Sequence, residues 1–160
     1  MLTLERGDRL ATLIVALAGL IFAPFAFADD EDDVMAVVQQ YADLETDLEA
    51  QAGLIRDDRV MITNVRQSDQ AKNMAIQVAG RKANEAVNGG KTRVYTTTDS
   101  PQVAIYGDVA VVSFLRMFSF IPHNQPPPPP GQPLWVTLVL VKEGGDWGIA
   151  HTHMSPAGGN

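Results

Sequence analysis

Two histidines two residues apart, His151 and His153, stand in the segment Trp147-Gly-Ile-Ala-His-Thr-His-Met-Ser155. A neutral imidazole can take or give a proton near neutral pH, and it can also bind a metal. The chain has 3 histidines, the third being His123 beside a proline run. Alone, His151 and His153 supply two ligands where zinc needs three or four, so no metal or other cofactor is expected. General acid/base work stays open, with His151 or His153 as the base. Arg116 lies among apolar neighbours, and a buried guanidinium must meet a carboxylate, either from the chain or from a ligand. Tyr41 carries a hydroxyl that needs a partner when buried, and with Arg116 it could hold a developing oxyanion. Trp135 is ordinarily a core or interface aromatic, and is the fourth candidate ligand contact beside Tyr41, Arg116 and His151. Asp57-Asp58 reads as a helix cap or turn. Ser155 lacks an elbow motif, so serine nucleophile chemistry finds no support.

The elements that would position these groups follow from the patterning. Trp135 to Val141 is rich in β-branched and bulky residues, Glu143-Gly-Gly-Asp146 supplies a turn, and Trp147 to Ser155 returns as the second arm of a hairpin. Strict alternation puts Trp147, Ile149, His151, His153 and Ser155 on one face. Upstream, Asp33 to Ala50 reads as an amphipathic helix with Asp33 as N-cap and Val34, Val37, Val38, Tyr41, Leu44 and Leu48 as its apolar stripe. Gln51 to Asp58 is expected as a short second helical piece and Val60–Ile62 as a short β run. Ser68 to Val87 is a second long helix, ended by Asn88-Gly-Gly90. Strands are expected at Thr92–Thr98, broken by Asp99-Ser-Pro101, at Gln102–Tyr106, and at Val109–Ile121 after a tight Gly107-Asp108 turn. The five prolines Pro126–Pro130 form a stiff strand-connecting loop. Helices followed by antiparallel strands make an α+β plan, with helices laid across one face of a curved sheet.

Composition sets the bounds. At 160 residues the chain is one domain plus an N-terminal segment, and 46% apolar residues suffice for an ordinary core. Leu10 to Ala23 is uncharged, follows Arg6 and Arg9, and precedes Ala26-Phe-Ala28, the layout of a secretory signal peptide with an A-x-A cleavage site. The expected organisation is a signal peptide over 1–28, an acidic linker over 29–33, a domain over 34–156 and a tail over 157–160. The protein is read as exported, periplasmic or secreted. The alternative is a membrane anchor through residues 10–28, and the membrane is a partner only if that segment is uncleaved. Within the segment Glu5 and Asp8 offset the two arginines, so its removal leaves the net charge of −7 unchanged. An acidic chain without a basic run is unsuited to nucleic acid. Absence of cysteine excludes disulfides and thiolate chemistry.

From Asp33 to Ser155 the chain resembles the nuclear-transport-factor-2-like superfamily, also called SnoaL-like. The resemblance rests chiefly on Val103-Ala-Ile-Tyr-Gly-Asp-Val-Ala-Val-Val-Ser-Phe-Leu-Arg116 and Gly145-Asp-Trp-Gly-Ile-Ala-His-Thr-His-Met-Ser155. These are similar to the ending of the calcium/calmodulin-dependent protein kinase association domain. The resemblance implies a cystatin-like cone, a curved antiparallel sheet wrapped around N-terminal helices, with an internal pocket. It places Arg116 at a pocket arginine used on small carboxylates, while a second arginine of that pocket would fall near Leu138. Ala36-Val-Val-Gln-Gln-Tyr41 is similar to the tyrosine-bearing helix of ketosteroid isomerases. Ile62 and Thr63 stand where their catalytic base would be, which excludes that reaction. The frame hosts many functions, and three readings follow. One is a pocket for a small, largely apolar or carboxylate-bearing molecule. Another is a cyclase, isomerase or dehydratase-type enzyme. The third is a homodimerisation module that uses the open sheet face.

Overall fold

The computed structural model describes residues 23–158 apart from 64–65, 68–69 and 129–132. The expected signal peptide up to residue 22 and two of the five prolines, residues 129 and 130, lie outside the described residues. Helix α1 spans Ala23–Asp43. The acidic stretch 29–33 lies inside it, where Asp30 forms an ion pair with Lys142. Asp33 is therefore a mid-helix residue and not the expected N-cap. Val34, Val38 and Tyr41, at helical spacing, are the buried face. The chain then tightens into a 3-10 turn at Leu44–Thr46 and resumes as the short helix α2, Leu48–Gln51, whose N-cap Asp47 accepts from the Ala50 N–H at 3.0 Å.

The expected helical piece through Asp58 ends at Leu54, and strand β1 runs Ile55–Ile62. Asp57 and Asp58 are exposed strand residues, neither cap nor turn. Period-two burial of Ile55, Arg59 and Met61 decides this, with Arg56 and Asp58 paired on the other face at 2.9 Å. Strand β2 is Arg66–Gln67, and helix α3 is Gln70–Asn88. Past α3 the chain turns through Gly89, whose positive φ of 73° suits glycine.

The remaining strands are β3 (Arg93–Thr96), β4 (Asp99–Tyr106), β5 (Val109–Arg116), β6 (Phe118–Ile121), β7 (Leu134–Glu143) and β8 (Asp146–Pro156). The main sheet has the order β2-β1-β8-β7-β5-β4, and β3 pairs with β6 apart from it. Three expectations change. Pro101 does not break the chain, because β4 is an edge strand with a register shift between Asp99 and Gln102, where proline is tolerated. The long strand expected to Ile121 divides at Met117, which exchanges bonds with Thr97, so that β6 leaves the sheet to pair with β3. One pairing of the otherwise antiparallel sheet, β1 with β8, is parallel.

The core lies between the helices and one sheet face. Val112, Phe114, Val136, Leu138, Leu140 and Ile149 meet Val34, Val38 and Leu48 there. Burying each of the larger side chains contributes about 1.5–3 kcal/mol. The architecture is the α+β cone expected: N-terminal helices against one face of a curved sheet.

Candidate functional site

A cavity of about 320 Å³ opens between the end of α1, α3 and the ends of β1, β5 and β8. Met61, Phe118, Leu134, Met154 and Pro156 form its apolar walls, and Tyr41, Glu45, Thr63, Gln77, Arg116 and Ser155 its polar side. That size and mixture suit a small organic molecule with one polar end.

Tyr41 reaches the cavity from the last turn of α1, where Gln51 Nε2 donates to the Tyr41 carbonyl oxygen at 2.8 Å and pins the helix end. Glu45 stands four residues on, in the 3-10 turn, and so points the same way. Arg116, the last residue of β5, comes from the opposite wall. Its Nη2 meets Glu45 Oε1 at 2.5 Å and its Nε donates to Thr96 Oγ1 at 2.9 Å. The guanidinium also lies over the rings of Phe118 and Tyr41, 4.8 and 5.9 Å from their centres. Both ends of the pair are nearly sealed, with side chains 4% and 9% exposed.

A second guanidinium lies deeper. Arg59 of β1 is fully buried, its Nη2 against Asn73 Oδ1 and Met74 Sδ of α3. Asn73 Oδ1 also accepts from Gln77 Nε2 at 2.7 Å, which links Arg59 to the cavity wall. Burial pulls the Arg59 pKa down from its usual value. Burial also raises the Tyr41 pKa, helped by the negative charge of Glu45 and opposed by Arg59 and Arg116. Tyr41 is thus held as a neutral phenol.

Tyr41 and Arg116 are the predicted site residues that the structure brings together. It does not bring in His151, His153 or Trp135. Ile149 pairs with Leu140 but His151 pairs with Val139, so Ala150 is an extra residue in β8, a β-bulge that resets the alternation. Trp147 and Ile149 face the core, whereas His151 and His153 stand on the outer sheet face, opposite Val139 and Thr137. Trp135 is 52% exposed on that same face. The one-face arrangement expected for Trp147 through Ser155 is therefore wrong, and neither histidine can act as a base in the cavity. Among the described residues no group of three or more His, Cys, Asp or Glu is placed to hold a metal ion.

Glu45 and Arg59 were missed. The signal for Glu45 was available, because it lies four residues beyond Tyr41. Arg59 was hidden by reading Gln51–Asp58 as helical.

The SnoaL-like domain matches over residues 34–158. An NTF2-like protein with a cystatin-like fold from Novosphingobium aromaticivorans superposes with a TM-score of 0.67 at 14% identity, covering 97% of this chain and 94% of that one. ActVI-ORFA of Streptomyces coelicolor gives 0.68 at 13% identity over 83% and 98%. The CaMKII hub homology domain of Chlamydomonas reinhardtii gives 0.61 at 22% identity over 81% and 99%. At these identities the likeness is one of fold. No curated protein matches the sequence.

Proposed function

We propose, for a chain that belongs to the SnoaL-like domain family, that it binds a small, largely apolar or carboxylate-bearing molecule in the cavity between helices and sheet. The supporting observation is the cavity itself: five apolar side chains on one side and the Tyr41, Glu45, Gln77 and Arg116 groups on the other. Glu45, the one carboxylate that lines it among the described residues, is tied to Arg116, so the site is equipped to hold a ligand rather than to move a proton. Export through a signal peptide over residues 1–28 would place this binding outside the cytoplasm. Thermal-shift titration with small amphiphiles tests the reading. Stabilisation of the wild type that is lost in the cavity-filling variant Leu134→Trp supports it, and equal response of both proteins contradicts it.

A separate observation favours self-association. Across the outer sheet face run the rows Ala104, Val111, Val139, His151, Val60 and Gln102, Ser113, Thr137, His153, Ile62. Neither row carries a carboxylate, a lysine or an arginine, and Trp135 and Tyr106, 52% and 70% exposed, flank them. Such a face suits a second copy of the chain.

A further inference from the structure

The charges behind the cavity do not balance. Among the described residues Arg116 is paired with Glu45, while Arg59 has no carboxylate of its own: it lies against the Tyr41 hydroxyl, the amide oxygen of Asn73 and the thioether of Met74, and feels Glu45 only as a carboxylate already bound to Arg116. Arg59 Nε and Nη1 are buried and meet no acceptor at hydrogen-bonding geometry among the described residues. The guanidinium is nonetheless close enough to Tyr41 to oppose the rise in the Tyr41 pKa. Half-buried Arg81 adds positive charge outside, donating from Nη1 to the Glu45 carbonyl oxygen at 2.9 Å. The cluster of Tyr41, Glu45, Arg59 and Arg116 thus carries one net positive charge in the interior of a chain whose overall charge is −7. A buried ion without a counter-ion is costly, and in folded proteins such charges are ordinarily paired.

We infer that the cavity selects a monoanion, a carboxylate on an apolar tail, and that Arg59 supplies the charge that selects it. This rests on the binding proposed above and adds the ligand's charge. The tail would lie along Met61, Phe118, Leu134 and Met154. The carboxylate would take the Tyr41–Gln77 end, where Tyr41 O–H and Gln77 Nε2 can donate and Arg59 lies directly behind them through Asn73. Arg116 is not the receptor, because Glu45 already neutralises it. Arg59 is a positioning residue whose field acts across Tyr41 and the Asn73–Gln77 pair, undiminished by bulk water.

Calorimetric titration with octanoate and with octan-1-ol, the same tail with and without charge, tests this on the wild type and on Arg59→Met. Octanoate should bind the wild type at least about tenfold more tightly than octanol, the scale of one charge-assisted contact. In Arg59→Met the ratio should fall to near one while octanol affinity persists, and the unliganded variant should melt no lower than wild type, since it loses an unpaired buried charge. A merely structural role for Arg59 would weaken both ligands together and lower the melting temperature, which overturns the inference. Octanol binding the wild type as well as octanoate overturns the anion preference and leaves the cavity reading standing. Binding of neither overturns both, and the wild-type ratio alone decides if the variant does not fold.

Discussion

Arg116 Nη2 and Glu45 Oε1, 71 residues apart in the chain, meet at 2.5 Å and join the end of β5 to the turn after α1. The pair forms one wall of the cavity and closes the helical layer onto the sheet. Removing one partner strands a buried charge. Glu45→Ala and Arg116→Ala should each lower stability by about 3–5 kcal/mol, whereas the apolar pair Glu45→Leu with Arg116→Met should recover most of the loss. Urea denaturation of the four proteins measures both the losses and the recovery, and equal losses in all three variants would contradict the stranded-charge account.

Tyr41 predicts an alkaline weakness. Its folded pKa lies above the ordinary value through burial, so the fold favours the phenol over the phenolate. The resulting stability is complete below the unfolded value of ~10 and is lost as pH rises from there toward the folded value. Wild type should therefore lose stability above pH ~10 more steeply than Tyr41→Phe. Denaturant unfolding across that range measures the difference, and parallel curves for the two proteins would contradict the assignment.

The bulge at Ala150 makes neighbours behave oppositely. Thr152 is fully buried on the core face, while His153 is exposed on the outer one. Thr152→Lys should unfold the protein or cost several kcal/mol, because it buries a charge. His153→Lys should stay within roughly 0.5 kcal/mol for the monomer. Thermal melts of the two variants separate the bulged register from the unbulged one, which predicts the reverse order.

That same bulge marks what could be read from the chain. The hairpin of β7 and β8, the Gly107-Asp108 turn, the glycine end of α3 and the inward Tyr41 and Arg116 all follow from patterns local to a few residues. A bulge does not, because the extra residue is defined only against the partner strand. His151 and His153 were therefore placed on the wrong face although their strand was found. Arg59 failed for a related reason. A strand whose core positions read Ile, Arg, Met lacks the apolar alternation that announces it, and only pairing with β8 reveals it. The division at Met117 likewise depends on Thr97, a residue outside that strand.

The outer sheet face carries its own prediction. If two copies meet there, Val139→Lys, in the middle of its central row, should yield a folded monomer. Analytical ultracentrifugation at several concentrations reads the outcome. A wild-type monomer throughout would remove the proposal of self-association and leave the cavity untouched.

The measurement that bears most directly on the binding proposal is native mass spectrometry of the full-length gene product recovered from the exported fraction, recorded gently and again after denaturation. A small molecule carried in the gentle spectrum, lost on denaturation and absent from Leu134→Trp is the result expected, on a mature chain beginning at Asp29. An identical, ligand-free mass under both conditions, with Met1 retained, would contradict both the occupied cavity and the export.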